Sequence, residues 1–145
     1  MKIRDCMTRD VQLISPQDSI ETAATAMAEA DTGALPVSDK DRLVGMVTDR
    51  DIAIRAIAAG KGPKAKVAEV MSSDIRYCFD DDSVADVLHN MSDLQVRRLP
   101  VLNRDKRLVG IVSLSDLALS GSAPLAGDAL SGIARPGGEH SQTLH

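Results

Sequence analysis

Aromatic side chains are nearly missing from this chain: of its 145 residues one is Tyr, one is Phe and none is Trp. Without stacking rings, and with a net charge of −4 instead of a basic field, it offers neither a platform for bases nor a track for a phosphate backbone. No nucleic-acid partner is expected. Long apolar runs are absent too: none approaches the ~20 residues a membrane helix requires. The opening "MKIRDCMTRD" carries charges where a signal peptide would have its apolar centre. A cytoplasmic protein with no membrane partner is the expectation. Cys6 and Cys78 are the only cysteines, and His89, His140 and His145 show no metal-ligand spacing with them, so no metal site and no thiol enzyme is expected. What remains is 43% hydrophobic and 26% charged, an ordinary globular composition.

The chain repeats itself. "VQLISPQDSIETAATAMAEADTGALPV" (11–37) lies over "IRYCFDDDSVADVLHNMSDLQVRRLPV" (75–101), matching Asp18, Ser19, Met27, Leu35, Pro36 and Val37 with Asp82, Ser83, Met91, Leu99, Pro100 and Val101. The offset is 64 from Val37 to Val101 and becomes 65 from Gly45 to Gly110, where "LVGMVTDRDIA" lies over "LVGIVSLSDLA". The preceding "IRDCMT" (3–8) matches "VAEVMS" (67–72). A period this long indicates a duplicated subdomain, because solenoid units are shorter. Cys6 falls on Val70 and Cys78 on Ile14, so both cysteines read as small buried hydrophobes, with a redox role as the alternative.

Periodicity changes in the same order within each copy. "VQLIS" and "IRYCF" read as short strands; Ile20, Ala23, Ala24 and Met27, with twins Val84, Val87, Leu88 and Met91, follow helical spacing, and Asp18 with Glu21 forms a cap. "ALPV" and "RLPV" are strands joined through "SDKDR" and "LNRDKR" to "LVGMV" and "LVGIV"; "DIAIRAIAA" and "DLALS" open a second helix. The fold class is therefore α/β of the α+β kind: two β-α-β-β-α motifs packed sheet to sheet with pseudo-twofold symmetry. Neither copy alone buries enough surface to be stable, which is why the open faces are expected to meet. The boundaries read as 1–62, 63–121 and a flexible Gly-, Pro- and Ser-rich tail over 122–145, in which Ala126, Ala129, Leu130 and Ile133 offer a short amphipathic segment. Lys61, Lys64 and Lys66 in the connection between copies read as solvated.

Chemistry concentrates at "TDRD" and "SLSD". Thr48 and Ser113 each stand three residues ahead of an acid, Asp51 and Asp116, at the start of an apolar run. One reading is a pair of capping boxes. The other is a pair of ligand sites: a helix start already favours anions, and a carboxylate one turn in can accept from both hydroxyls of a ribose. Arg50, Arg97 and Arg98 supply cations nearby.

The order M-[TS], apolar strand, D-S helix, "ALPV" or "VRRLPV", then G-h-h-[TS]-x-x-D, present twice over about 3–120, resembles the tandem cystathionine-beta-synthase-type domain, the CBS pair or Bateman module. That resemblance implies a regulatory sensor, not an enzyme, that binds adenosine-containing molecules (AMP, ADP, ATP and relatives) in clefts between the copies, commonly as a homodimer. It implies ribose contacts from Asp51 and Asp116, phosphate contacts from Thr48, Arg50, Arg97, Arg98 and Ser113, and an adenine side formed by Gln12, Gly33, Ala34 and Arg76. Asp51 and Thr48 are then expected to meet Arg97, Arg98 and the strand near Arg76; Asp116 and Ser113 are expected to meet Gly33, Ala34, the strand near Gln12, and Arg50. Arg97 and Arg98 are answered in the first copy by Gly33 and Ala34, so the two sites are expected to differ, the Asp51 site taking the more phosphorylated ligand. Arginines bridging to Asp82 or Asp93 are the alternative. No cofactor is required beyond the regulatory nucleotide, and the output is expected through an unnamed protein target or through assembly. A ligand-free interaction scaffold of the same fold, and a nucleotide hydrolase, are the rival functions; no nucleophile, base and orienter stand out for the latter.

Overall fold

The computed structural model describes residues 1–120 and 123–134. In chain order the elements are helix α1 (Ile20–Ala30), strands β1 (Ala34–Asp39) and β2 (Arg42–Thr48), and helix α2 (Asp49–Asp51), which continues as π-helix over Ile52–Ile57. Then come β3 (Cys78–Phe79), α3 (Val84–Leu94), β4 (Arg98–Leu102), β5 (Leu108–Ser113), α4 (Leu114–Ser120) and α5 (Ala123–Ile133). Single 3-10 turns occupy Ile3–Asp5 and Val67–Glu69. The fold is α+β with small sheets, built twice.

Periodicity explains the helices. Ile20, Ala23 and Met27 of α1, and Val84, Val87, Leu88 and Met91 of α3, are buried on one face. The caps sit one residue later than Asp18 suggested. Ser19 Oγ accepts from Thr22 N and Ser83 Oγ accepts from Asp86 N, both at 3.1 Å. Asp18 and Asp82 instead accept from Ser15 N at 2.9 Å and Phe79 N at 2.8 Å, tightening the turns that lead in. A short hydroxyl in extended backbone reaches the N3 amide, whereas the carboxylate before it faces back along the chain.

The chain divides into two compact units: Gln12–Ile75, and Met1–Val11 with Arg76–His145. This division is not the same as that of the sequence repeats, because the leading segments exchange. In the second unit Ile3 N–H donates to Asp82 O at 3.0 Å, and Thr8 and Ile111 exchange backbone bonds of 2.9 and 3.0 Å along the edge of β5. In the first, the twin Val67 N–H donates to Asp18 O at 2.8 Å, and Ser72 exchanges bonds of 2.8 and 3.0 Å with Met46 of β2. Each copy's sheet thus takes its edge from the segment that precedes the other copy.

The exchange accounts for two glycines. A Cβ on Gly110 would lie 2.8 Å from Thr8 O and 2.7 Å from Met7 Sδ, and one on Gly45 would run into Ser72 O. Only glycine lets these edges close.

Each unit has its own core: Ile14, Ile20, Met27, Leu35, Val37, Val47, Val67 and Val70 in one, Ile3, Cys78, Leu88, Met91, Leu99, Val101, Val112 and Leu117 among others in the second. The strand read from "VQLIS" reduces to Ile14, bridged in parallel to Val37, while its twin β3 is a two-residue strand parallel to β4. A peripheral strand gains only as many ladder bonds as its neighbour offers.

Of the segment read as a flexible tail, Ala123–Ile133 forms α5. Ala129 is buried and Ile133 packs against the second unit's core, while Gln95 Nε2 donates to Gly132 O at 3.0 Å. Gly132 permits that crossing, since any Cβ there would overlap Ser92 Oγ. The amphipathic segment therefore docks on its own unit's α3.

Candidate functional site

Where β2 runs into α2, the register of β1 and β2 sets Ala34 opposite Thr48, and Asp49 N–H donates to Gly33 O at 2.9 Å. Gly33, Ala34, Thr48, Arg50 and Asp51 are thereby brought to one end of the first unit. Thr48 Oγ1 accepts from Asp51 N at 3.0 Å, and Asp51 Oδ2 accepts from Thr48 N at 2.9 Å. The second unit repeats this. Arg98 pairs with Ser113, Leu114 N–H donates to Arg97 O at 2.8 Å, and Ser113 and Asp116 exchange bonds of 3.0 and 3.1 Å. Arg97, Arg98, Ser113 and Asp116 share that end.

The capping reading is therefore correct as far as it goes, and it does not use up the acids. In each box one carboxylate oxygen, Oδ2, is engaged by the backbone. Among the described residues Asp51 Oδ1 has only Arg55 Nε, at 3.7 Å, and Asp116 Oδ1 has no hydrogen bond. The cap fixes each carboxylate's plane and leaves its second oxygen to accept. Both acids are partly buried, where an accepted hydrogen bond counts for more than at a free surface.

The arginines are free of the bridges considered for them. Asp82 lies 4.0 Å from Arg104 and Asp93 lies 3.2 Å from His89 Nε2, whereas Arg97 and Arg98 are exposed and make no ion pair among the described residues. Arg76 Nη1 donates to Leu94 O at 3.4 Å, at the end of α3. Gln12, with Leu13, Asp18, Glu21 and Thr22, lines an open groove of about 350 Å³ against α1.

Three neighbours escaped the sequence reading. Arg55 stands one turn beyond Asp51, and its twin position holds Ser120, whose hydroxyl donates to Asp116 O. Cys6 Sγ donates to Ile3 O at 3.6 Å; burial, with help from the Asp116 and Asp5 carboxylates, pushes its thiol up. Cys78 is pushed up to about 12 by burial. Both thiols stay protonated at neutral pH and pack as apolar groups. Asp49 sits beside Gly33, and the signal for it was present in the alignment of "TDRD" with "SLSD", where an acid faces a leucine.

Among the described residues no group of three or more His, Cys, Asp or Glu is placed to hold a metal ion. No helix among them is long and apolar enough to cross a membrane.

Comparison with known proteins matches the CBS domain twice, over residues 3–57 and 67–121. The CBS domain-containing protein YhcV of Bacillus subtilis is 41% identical over 132 residues, covering 90% of this chain and 94% of its own. Hypoxic response protein 1 of Mycobacterium tuberculosis is 43% identical over 117 residues, 79% of this chain and 81% of that protein. A crystal structure of Hypoxic Response Protein I with two coordinated zinc ions superposes with a TM-score of 0.77 at 40% identity, covering 84% of this chain and all of that one. The CBS domain pair of protein MJ0100, solved with 5-methylthioadenosine and S-adenosyl-L-methionine, superposes with a TM-score of 0.74 at 28% identity over 82% and 94% of the two chains. Two matched domains, each ending in the same hydroxyl-and-acid turn, make this chain a member of the CBS-domain family and, more narrowly, a tandem CBS pair.

Proposed function

We propose that the protein is a nucleotide-sensing regulatory module whose Asp51 and Asp116 accept the two hydroxyls of a ribose. Thr48, Ser113, Arg50, Arg97 and Arg98 face the phosphates, and Gln12, Gly33, Ala34 and Arg76 flank the base.

One observation carries the reading: each acid spends a single oxygen on its cap and keeps the other available in a partly buried setting. The adenosyl compounds in the solved MJ0100 pair support the ligand class. Binding, not turnover, is the activity, since among the described residues no nucleophile sits beside a base that a third group orients. Ligand binding shifts the population of conformational or assembly states by its affinity difference between them. A homodimer is part of the proposal, favoured by Ile54 and Leu119, twin positions that stand 53% and 89% exposed.

Calorimetric titration with adenosine, AMP and ATP tests it. Asp51→Asn and Asp116→Asn each remove a charged acceptor, so each is expected to weaken one site by about tenfold or more. Arg97→Ala combined with Arg98→Ala is expected to weaken ATP and to spare adenosine. Unchanged binding in the Asn variants overturns the reading. A second reading, a scaffold without ligand, draws on the fact that both capping boxes are satisfied internally; a wild type that binds none of the three would establish it.

A further inference from the structure

The two copies share a backbone joint at the strand mouth and differ in the charge set on it. Asp49 N–H bonds Gly33 O at 2.9 Å, and Leu114 N–H bonds Arg97 O at 2.8 Å. At the first joint a Cβ on Gly33 would lie 2.8 Å from Asp49 Oδ2 and 3.1 Å from Asp49 Cγ. The carboxylate therefore stands where a side chain at position 33 would leave the strand. Gly33 does not have the positive φ that would by itself call for glycine, and a Cβ there would make the exposed Asp49 side chain swing aside. At the second joint the same place on the strand carries Arg97, and its neighbour is the uncharged Leu114.

Asp49 is exposed, and its Oδ1 accepts from Arg50 N at 2.8 Å. It makes no ion pair with any described residue, Arg50 included. The local charges are Asp49, Arg50 and Asp51 at one mouth, and Arg97, Arg98 and Asp116 at the other. One mouth is net negative and its twin is net positive.

We propose that Asp49 and Leu114 are specificity-determining residues: Asp49 turns phosphate away from the Gly33 mouth, which takes a nucleoside with an uncharged or cationic 5′ substituent, while Leu114 leaves Arg97 unopposed to draw phosphate to its own. This inference rests on the nucleotide-binding reading and adds the ligand class at each mouth. Exposure limits its size: a unit charge about 6 Å from another in water-like surroundings changes affinity roughly threefold, and a dianionic phosphate about tenfold.

The test compares AMP with adenosine, which differ only in the phosphate. Asp49→Asn keeps the oxygen that accepts from Arg50 and removes the charge; Leu114→Asp adds the charge to the other copy. In calorimetry Asp49→Asn is expected to tighten AMP at one class of site by roughly three- to tenfold with adenosine unchanged, and Leu114→Asp to weaken AMP by a similar factor. Adenosine serves as the internal reference, because a purely structural role for Asp49 would move both ligands together. Equal shifts for the two ligands, or AMP affinity unmoved in both variants, overturn the specificity role and leave the nucleotide reading standing. A wild type that binds neither ligand overturns both.

Discussion

The last helix of each copy starts from the same turn and then goes its own way. After Ser113 the backbone stays α-helical through Ser120, burying Leu117 completely. After Thr48 it makes one α turn and widens into π-helix, with Ala58 N bonded to Ala53 O at 2.9 Å and Lys61 N to Ala56 O at 2.8 Å. Leu117's twin, Ile52, is only half-buried, and the small Ala56 takes the deepest place. The second helix also has α5 packed beside it, whereas among the described residues no third α-helix joins α1 and α2 in the first unit. Duplication has kept the polar frame that orients the acids and has let the apolar support behind it drift.

The largest test of that contrast is in the two supports. Leu117→Ala empties a fully buried position in the core that also holds Leu88, Leu99 and Val112, and a loss of about 2–5 kcal/mol is expected. Ile52→Ala removes a side chain already partly in water, so less than half that loss is expected, read as the difference in denaturant midpoints at constant slope. Equal losses would mean that the π-helical segment is anchored as firmly as the α-helical one.

The exchanged edges give the next largest difference. Gly45→Ala pushes a methyl into the backbone carbonyl of Ser72, which cannot move without breaking the bonds it shares with Met46. Gly110→Ala meets Thr8 O as well, but its nearest atom is the sulfur of Met7, a side chain that can yield. Overpacking costs of roughly 1–3 kcal/mol are expected, with Gly45 the more costly of the two. Thermal unfolding of the two variants orders them; a more stable Gly45→Ala protein would show that the Ser72 edge is easily displaced.

These glycines also mark how far the sequence could be read. Helical spacing made the buried faces of α1 and α3 legible, because Met27 and Met91 fall on the same face as Ile20 and Val84. The exchange of leading segments was not legible, because a bond between Thr8 and Ile111 leaves no local pattern; its trace is a motif glycine with no turn to justify it. Helix α5 was hidden for another reason: its stretch is rich in Gly, Pro and Ser, and packing against α3 outweighs that propensity. At the site, Thr48, Asp51, Ser113 and Asp116 stood out at once, yet cap and ligand readings call for the same residues at the same spacing. Only the geometry separates the oxygen that caps from the one left over. Asp49 was missed because an acid in a first helical turn needs no further explanation.

The smallest contrast is electrostatic, and it separates two acids held by different means. Arg104 grips Asp81 with bonds of 2.7 and 2.9 Å and lies 4.1 Å over the Phe79 ring, and this guanidinium holds the Asp81 carboxyl below the usual carboxylate range. In the other unit Glu69 is also lowered, first by the backbone N–H of Lys66 and then by Lys61. A carboxyl whose pKa is depressed by folding stabilises the protein above its unfolded pKa, and the contribution fades as pH falls through the folded value. Acidification below the ordinary carboxylate range is therefore expected to erase the difference between wild type and Asp81→Asn, and likewise for Glu69→Gln. Added salt at neutral pH divides the two, because it screens an exposed ion pair more than a hydrogen bond to the backbone. Asp81→Asn is expected to matter less in high salt while Glu69→Gln keeps most of its small effect, as melting temperatures at two ionic strengths would read. Identical salt responses would mean that Lys61, not the Lys66 amide, is what holds Glu69.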